Sequence, residues 1–494
     1  MNNDKDINLN SKFHTASKWS LSTEIVAKIM APITNMILAR LLAPEAFGMV
    51  ATLTMVTSFV DIFTQAGFHQ YIVQNKFKDS EGLDYASDVA FWTNFILSVF
   101  FWFIIFIFKK EIALLVGNPR LGSAMAIAAL SLPITSFSSI QASRLRRKLD
   151  FKALFYTRLI ALFVPVFVTI PFAFILKSYW ALVVGNLMIN VITSVFLIII
   201  SKWKPRVRYN FKILKSMISF CGWALCEQLL GWANINIGIF IVGAFISEYD
   251  LGIYKTSMAM VNQVMAILVN SLSPVLISTL SRMNGSRVEF DKFYYNFLSR
   301  IAMIALPIGI GIFIFKDFFT LIILGTQWDD AIEFIGIWGI ARSMVVVFCG
   351  FGMEVFVSLG KPKFAAYSQF FNLIILVPLL YCTSQIGFRE MYIMSAIACI
   401  WTIFVDQILL KIAAQIKLTK IWRQTGIFLV DSMIMGIFAY GIRNVAMDSI
   451  SWTLISISLC ILLYFLLICI VPKTRVTFMS FLSDYVIKEN RKEV

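Results

Sequence analysis

Apolar runs of about 20 residues follow one another along almost the whole of this chain, and few folds tolerate such a pattern. At 1.5 Å per residue, about 20 residues of helix match the hydrocarbon thickness of a bilayer. The runs lie at about 16–42, 46–67, 86–108, 121–141, 153–176, 179–201, 213–245, 251–281, 298–323, 331–358, 363–385, 390–411, 426–444 and 452–471. Hydrophobic residues make up 59% and charged residues 14% of the 494, against about 45–50% and about 25% in soluble domains. No polar linker of the kind that joins soluble domains interrupts the series. The composition excludes intrinsic disorder, a disulfide scaffold and a secreted enzyme. The expected fold class is an all-α polytopic membrane protein with about 14 transmembrane helices. The seventh run, 213–245, is too long for one straight span and is expected to bend or break.

Charge gives the direction. With the N-terminus inside, the inside segments carry 30 of the 43 Lys and Arg, the outside segments carry 9, and Lys28, Arg158, Arg300 and Arg342 fall within spans. Cytoplasmic loops collect basic residues, so both termini are expected to be cytoplasmic. The first fifteen residues are polar and the first apolar run carries Lys18, Glu24 and Lys28, so no cleavable signal peptide is expected. The seven Cys all lie in apolar runs without a CxxC, and neither His has a partner at ligand spacing. No metal and no cofactor is expected. After Pro472, the residues Phe478, Phe481, Leu482, Tyr485 and Val486 recur at helical spacing among basic residues, which predicts an amphipathic tail on the inner membrane face.

An internal repeat is visible. Trp19–Gly48 and Trp223–Gly252 are intervals of equal length, each running from Trp-x-Leu through an apolar helix to a loop closing on Phe-Gly or Leu-Gly. Six spans separate the copies, so they point the same way, as in transporters that bind substrate between two parallel halves. The organisation expected is a cytoplasmic segment 1–15, a six-helix bundle 16–201, a basic linker 202–212 and a second bundle 213–411. Two additional helices at 426–471 and a cytoplasmic tail 472–494 follow.

Spans 1, 2, 7 and 8 would then face the central cleft, and their polar residues form stripes. Ser17, Glu24, Lys28 and Asn35 fall within roughly 40° on span 1. Thr54, Thr57, Asp61 and Gln65 line one face of span 2. Glu227 and Asn234 on span 7, with Gly231 and Gly238, and Lys255, Asn262 and Ser273 on span 8 complete the set. Ionisable groups inside a bilayer need water or a partner, so the stripes imply a hydrated cavity. Pro32 removes a helix hydrogen bond at mid-depth, which is tolerable beside such a cavity.

Each candidate has a structural reading beside the functional one. Glu24 and Lys28 stand at i and i+4 in the favourable order for a helix ion pair; they either neutralise each other or serve the substrate. Lys255 and Arg342 have no acidic neighbour in sequence, which suits an anionic substrate, while an acid from another helix is the alternative for Arg342. Asp61 and Glu227 are candidates for a coupling ion or for pairing with the lysines. Lys18, Arg158, Arg300, Asp406 and Asp431 are read as lying near span ends and snorkelling. The basic run 144–148 is a topology signal or an attractor of anionic head groups. No P-loop, nucleotide turn or nucleophile elbow occurs, so no catalytic residue is assigned and the chain is not expected to be an enzyme.

Several segments resemble the polysaccharide-repeat flippases of the multidrug/oligosaccharidyl-lipid/polysaccharide exporter superfamily. Ala39 to Gly48 is similar to that family's first outer loop, and Gly67 to Gln74 to its second-span exit. Gln141 to Phe151 is similar to its basic inner loop, and Ser273 to Arg282 to its eighth-span exit. The likeness covers essentially the whole chain. It departs at Gly238, where many members carry an acid, and at Ser247, where they carry glycine, so no coupling-ion contact is carried over to Gly238.

The resemblance implies two pseudo-symmetric bundles working by alternating access. It also implies a substrate, an oligosaccharide on undecaprenyl pyrophosphate, moved to the outer leaflet of a bacterial cytoplasmic membrane for O-antigen, capsule or exopolysaccharide synthesis. Lys28, Lys255 and Arg342 would hold the pyrophosphate. Asn35, Gln65, Asn234 and Asn262 would contact sugars, and Glu24, Asp61 and Glu227 would serve as coupling-ion or ion-pair groups. A glycan polymerase is the expected functional associate, and no nucleic acid is expected. Rival readings are a cation-coupled drug or solute exporter, which needs the acids but not the lysines, and a membrane glycan polymerase or ligase, which would want a larger outer loop than 109–120 or 324–330.

Overall fold

A backbone in hydrocarbon has no water to satisfy its amides and carbonyls, so it closes those bonds within itself as helix. The computed structural model describes residues 19, 26–28, 30–65, 67–75, 77, 79–283, 286–361, 363–443, 445 and 450–480, without the side chains at 219–224, 227 and 274. Among them the regular structure is helical, and thirteen spans are long and apolar enough to cross a membrane. The first expected span falls partly outside the described residues; its portion at 30–41, here α1, is helix and runs through Pro32. The others are α2 Pro44–Gln65, α3 Ser80–Ile107, α4 Pro119–Arg147, α5 Phe151–Leu176, α6 Trp180–Ser201 and α7, whose apolar part is Gln228–Phe245. Then come α8 Glu248–Arg282, α9 Arg287–Ile314, α10 Ala331–Ser358, α11 Lys363–Ser384, α12 Phe388–Ala414, α13 Leu418–Arg443 and α14 Ile450–Ile470.

The seventh helix does not break. It is one helix of 35 residues, Phe211–Phe245, about 50 Å long at 1.5 Å per residue, so it overshoots the hydrocarbon instead. Its early residues Lys212 and Lys215 are exposed. The interruptions fall elsewhere. In α5, a π-helical turn at Pro165–Thr169 separates Phe151–Val164 from Ile170–Leu176, where Pro165 has no N–H to offer the ladder. In α10, Ala331–Phe348 stops and Gly352–Ser358 begins, across a segment holding Gly350.

The chain forms two compact units, 1–255 and 256–494. In the first, α4 packs on α3 and α6, and α2 packs on α7; Phe91, Ile140 and Trp203 lie in a buried cluster with Phe95 and Phe137 against it. In the second, α9 packs on α10 and α13, and α11 on α12, around Tyr294, Phe297, Phe348, Phe351 and Phe356. Phe100, Phe167 and Ile437 stay more than half exposed, which is the normal outer surface of a protein whose solvent is lipid.

The two copies of the repeat meet in space. A Cβ added at Gly48 would lie 2.1 Å from the Glu248 carbonyl oxygen, and one added at Gly252 would lie 1.8 Å from the Pro44 carbonyl oxygen. Pro44 and Glu248 are themselves equivalent in the repeat, so the crossing of α2 and α8 is reciprocal and only glycine fits on either side.

Part of the basic loops expected on the inner side is built into the first unit. Arg144, 8% exposed, donates to Asp84 at 2.6 Å and to Ser87 at 2.9 Å and lies 5.1 Å from the Trp203 ring. Arg147 donates to the carbonyls of Ile72, Val73 and Asn75 at the end of the helix Phe68–Gln74, where a cation also meets the negative end of the dipole. Two of the basic run are thus structural ligands and face no head group. The linker after α6 is strapped across α3: Trp92 donates to the Arg206 carbonyl at 2.9 Å, and the Arg206 amide donates to Asp88 at 3.0 Å. Past Val471 the chain is helical again over 472–480. Phe478 there packs on the second unit's core, and the remainder of the predicted tail lies outside the described residues.

Candidate functional site

The expected polar stripe of α2 exists, and the helix itself absorbs much of it. Thr54 and Thr57 return their hydroxyls to backbone carbonyls one turn earlier. They also border a cavity of about 30 Å³ together with Ser131 and Asn186, enough room for a water with polar partners. Asp61 accepts from Gln65 at 2.5 Å and from Thr64 at 3.3 Å. Its partners therefore come from its own helix, and neither is a lysine. The same bond engages Gln65, one of the residues expected to meet sugar.

Other candidates of the first unit are half-buried. Asn35 on α1 and Lys28, in the helical stretch 26–28, are at intermediate exposure. Asn234 donates to the Leu230 carbonyl at 3.0 Å. Two residues before it, Trp232 donates to Ser58 of α2 at 3.0 Å, with its ring tilted against Phe59 at 4.8 Å. Lys255 is half-buried and is recorded with no hydrogen bond or ion pair among the described residues. Glu24 lies outside the described residues, as does the side chain of Glu227.

In the second unit, Asn262 accepts from the Trp338 indole at 3.3 Å. Arg342 is half-buried and makes no ion pair with a described acid; its Nε has no partner, and its guanidinium faces the Cys399 thiol. The same unit holds acids inside its helices where the sequence suggests span ends or no role. Asp406 and Asp431 do not snorkel: they are 8% and 3% exposed. The reason is helix length. The α13 helix starts at Leu418, earlier than the apolar pattern suggests, so Asp431 is central, and α12 continues beyond Asp406 to Ala414. A two-atom stem cannot reach the interface from there as Lys or Arg can.

The Asp406 carboxylate faces Ser368 and Cys349 and leaves Oδ1 unpartnered. Glu354, just past the interruption of α10, accepts from Ser273 of α8 at 2.6 Å through one oxygen and has no partner on the other. A signal for both was present, since an acid inside an apolar run is a functional candidate by default. The second unit thus gathers one cation, Arg342, and three acids with spare hydrogen-bonding capacity, Glu354, Asp406 and Asp431, whereas the first offers Lys255. Such groups can hold an anion or exchange a proton. Among the described residues, no group of three His, Cys, Asp or Glu side chains is placed to bind a metal ion.

A model of the family described as polysaccharide biosynthesis protein matches residues 37–333. A membrane protein of the cps region of Klebsiella pneumoniae is 22% identical over 381 residues, covering 76% of this chain and 77% of its own length. The succinoglycan biosynthesis transport protein ExoT of Rhizobium meliloti is 19% identical over 327 residues, 66% of this chain and 65% of its own. Among solved structures, the lipid II flippase MurJ in an inward closed conformation superposes with a TM-score of 0.74 at 15% identity, over 92% of this chain and 98% of that one.

Proposed function

We propose that this chain, which belongs to the polysaccharide biosynthesis protein family, is a flippase for lipid-linked oligosaccharide repeat units. It carries the sugar on its undecaprenyl pyrophosphate anchor from the cytoplasmic to the outer leaflet by alternating access. It acts as a transporter and not as a catalyst on the glycan. Both termini are cytoplasmic in this reading, on the strength of the basic inner loops, and a glycan polymerase takes up the product. The fold likeness to a lipid II flippase and the transport named for the Rhizobium relative support the reading.

The observation that carries it is the state of two intramembrane cations. A lysine or arginine at the centre of a span costs about 2.5–3.5 kcal/mol on insertion scales. Arg342, near the middle of α10, bears that cost and keeps an unpartnered Nε, and Lys255, two turns into α8, has no described ion pair. Each is a proposed contact for pyrophosphate during transport, with Lys28 as a third. Asn35, Gln65, Asn234 and Asn262 remain the proposed sugar contacts, and Glu24, Asp61 and Glu227 the proposed ionic set. Gln65 reaches sugar only by leaving Asp61.

The test is the sidedness of lipid-linked glycan in cells lacking this protein, probed with a membrane-impermeant glycosidase on spheroplasts. Glycan that accumulates but stays protected until lysis means that translocation is the missing step, and Arg342→Ala reproduces the defect. Glycan that accumulates in accessible form would mean the lipid has already crossed, and the flippase reading fails.

A further inference from the structure

Two cavities in the second unit are stacked end to end. The larger, about 790 Å³, is walled by α9, α13 and α14, with residues such as Met303, Phe315, Met435, Phe465 and Phe478. The smaller, about 440 Å³, includes Ser299, Arg423, Gln424, Lys473 and Thr477. On each wall the polar cavity continues the apolar one by one or two helical turns: Ser299 precedes Met303 on α9, Phe428 precedes Met435 on α13, and Pro472 follows Ile468. The polar end is therefore at one membrane face, on the side where the basic segments lie.

The chemistry of the two ends differs sharply. The apolar cavity runs from Met303 to Phe315 along α9 and from Ile457 to Ile468 along α14, and the separate helix Lys316–Ile323 lines its far end with Phe318, Phe319, Ile322 and Ile323. Each of the two runs is about 17–18 Å at 1.5 Å per residue, close to one leaflet's half of an approximately 30 Å hydrocarbon core. In the polar cavity, Arg423 and Lys473 are exposed, neither has an ion pair among the described residues, and no acid lines it. Gln424 brings a buried Oε1 without a partner. The short helix 472–480 closes one side, held by Arg300 donating to Ser480 at 3.2 Å and by Phe478 packed into the apolar wall.

We infer that the stacked cavities hold one anionic glycerophospholipid of the adjoining leaflet, its phosphate between Arg423 and Lys473 and its acyl chains in the apolar cavity. The length selects this occupant over the transported lipid. A leaflet-long acyl chain ends where the cavity ends, whereas a long polyprenyl chain overruns it. The lipid would pin the helix 472–480 and the outer helices α13 and α14 to the second unit.

The experiment uses the full chain, delipidated in detergent and titrated with micelles doped with phosphatidylglycerol, with bound lipid counted by native mass spectrometry. The wild type retains one phosphatidylglycerol. The double variant Arg423→Gln, Lys473→Gln loses two charge-assisted contacts and should bind it about tenfold or more weakly. Gly311→Phe tests the other end independently: a side chain added there meets nothing within 4 Å, so it enters the cavity and should displace the chains with the cationic end intact. Equal retention by both variants overturns the inference, as does equal retention of phosphatidylcholine. Displacement by undecaprenyl phosphate at lower concentration than phosphatidylglycerol would reassign the cavity to the transported lipid and overturn it as well. Since the readout is binding, a failure here leaves the flippase reading standing, and the reverse holds.

Discussion

Replacing Gly48 with alanine tests whether the reciprocal crossing of α2 and α8 is what the repeat preserves. The added Cβ would sit 2.1 Å from the Glu248 carbonyl oxygen and 2.9 Å from the Gly252 amide nitrogen. Carbon and carbonyl oxygen pack no closer than about 3.3 Å, so the helices must separate by about 1.2 Å there. At Gly252 the gap of 1.8 Å from the Pro44 oxygen demands about 1.5 Å by the same limit. Both obstacles are backbone, so no side-chain rotation relieves them, and overpacking of this kind costs about 1–3 kcal/mol. Residues that share one contact are not additive: once Gly48→Ala has parted the helices, Gly252→Ala finds the space made, and the double variant should cost much less than the two singles together. The control is Gly426→Ala on α13, where an added Cβ meets nothing within 4 Å. It should be neutral or stabilising by about 0.5–1 kcal/mol, the ordinary penalty of glycine in a helix. The measurement is thermal unfolding of the purified chain in one detergent. Strictly additive losses, or Gly48→Ala melting with the wild type, would refute the reasoning.

Breaking the Arg144–Asp84 pair by Arg144→Ala should cost about 3 kcal/mol, the low end for a buried pair because the Asp84 side chain keeps 31% exposure; Asp84→Asn in the same background should recover part of it in an unfolding titration. Lys255→Gln should lower transport in the spheroplast assay without lowering the melting temperature, since no described partner is lost. His69 lies between the spans, and burial, reinforced by Arg146, holds its imidazole below the usual histidine range. The folded state therefore resists protonation: the contribution is fully present above the unfolded value of about 6.5 and is lost as pH falls through the lower folded value. His69→Gln should flatten the loss of stability below that pH, and an unchanged pH profile would show that the imidazole is not the cause.

Hydropathy made thirteen described spans and the helical later part of the first legible without structure, because a bilayer leaves the backbone one solution and composition reports it. What it left obscure has a common origin in packing. The start of α13 reads as a loop because 418–424 is polar, and that one misplaced boundary turned buried Asp431 into an apparent span-end residue. The polar residues and glycines of 213–245 suggest a bend or a break, and α7 does not break because such residues end a helix only where nothing outside the membrane can extend it. The repeat gave the pairing of Gly48 with Gly252, though not the fact that the two touch.

Inner-loop charge carries the same ambiguity further. Arg144 and Arg147 count toward the same basic excess as Arg423 and Lys473. Yet the first two are consumed by Asp84, Ser87 and the carbonyls of Ile72, Val73 and Asn75, partners 57–75 positions away that no local pattern reveals. The second two stand exposed at a cavity whose lining holds no acid. A topology signal needs only that a charge be present on one side of the membrane. A binding site needs the charge to be unspent, so of these four residues only Arg423 and Lys473 should respond to the anionic lipid content of the membrane, and Arg144 and Arg147 should respond only to loss of their partners.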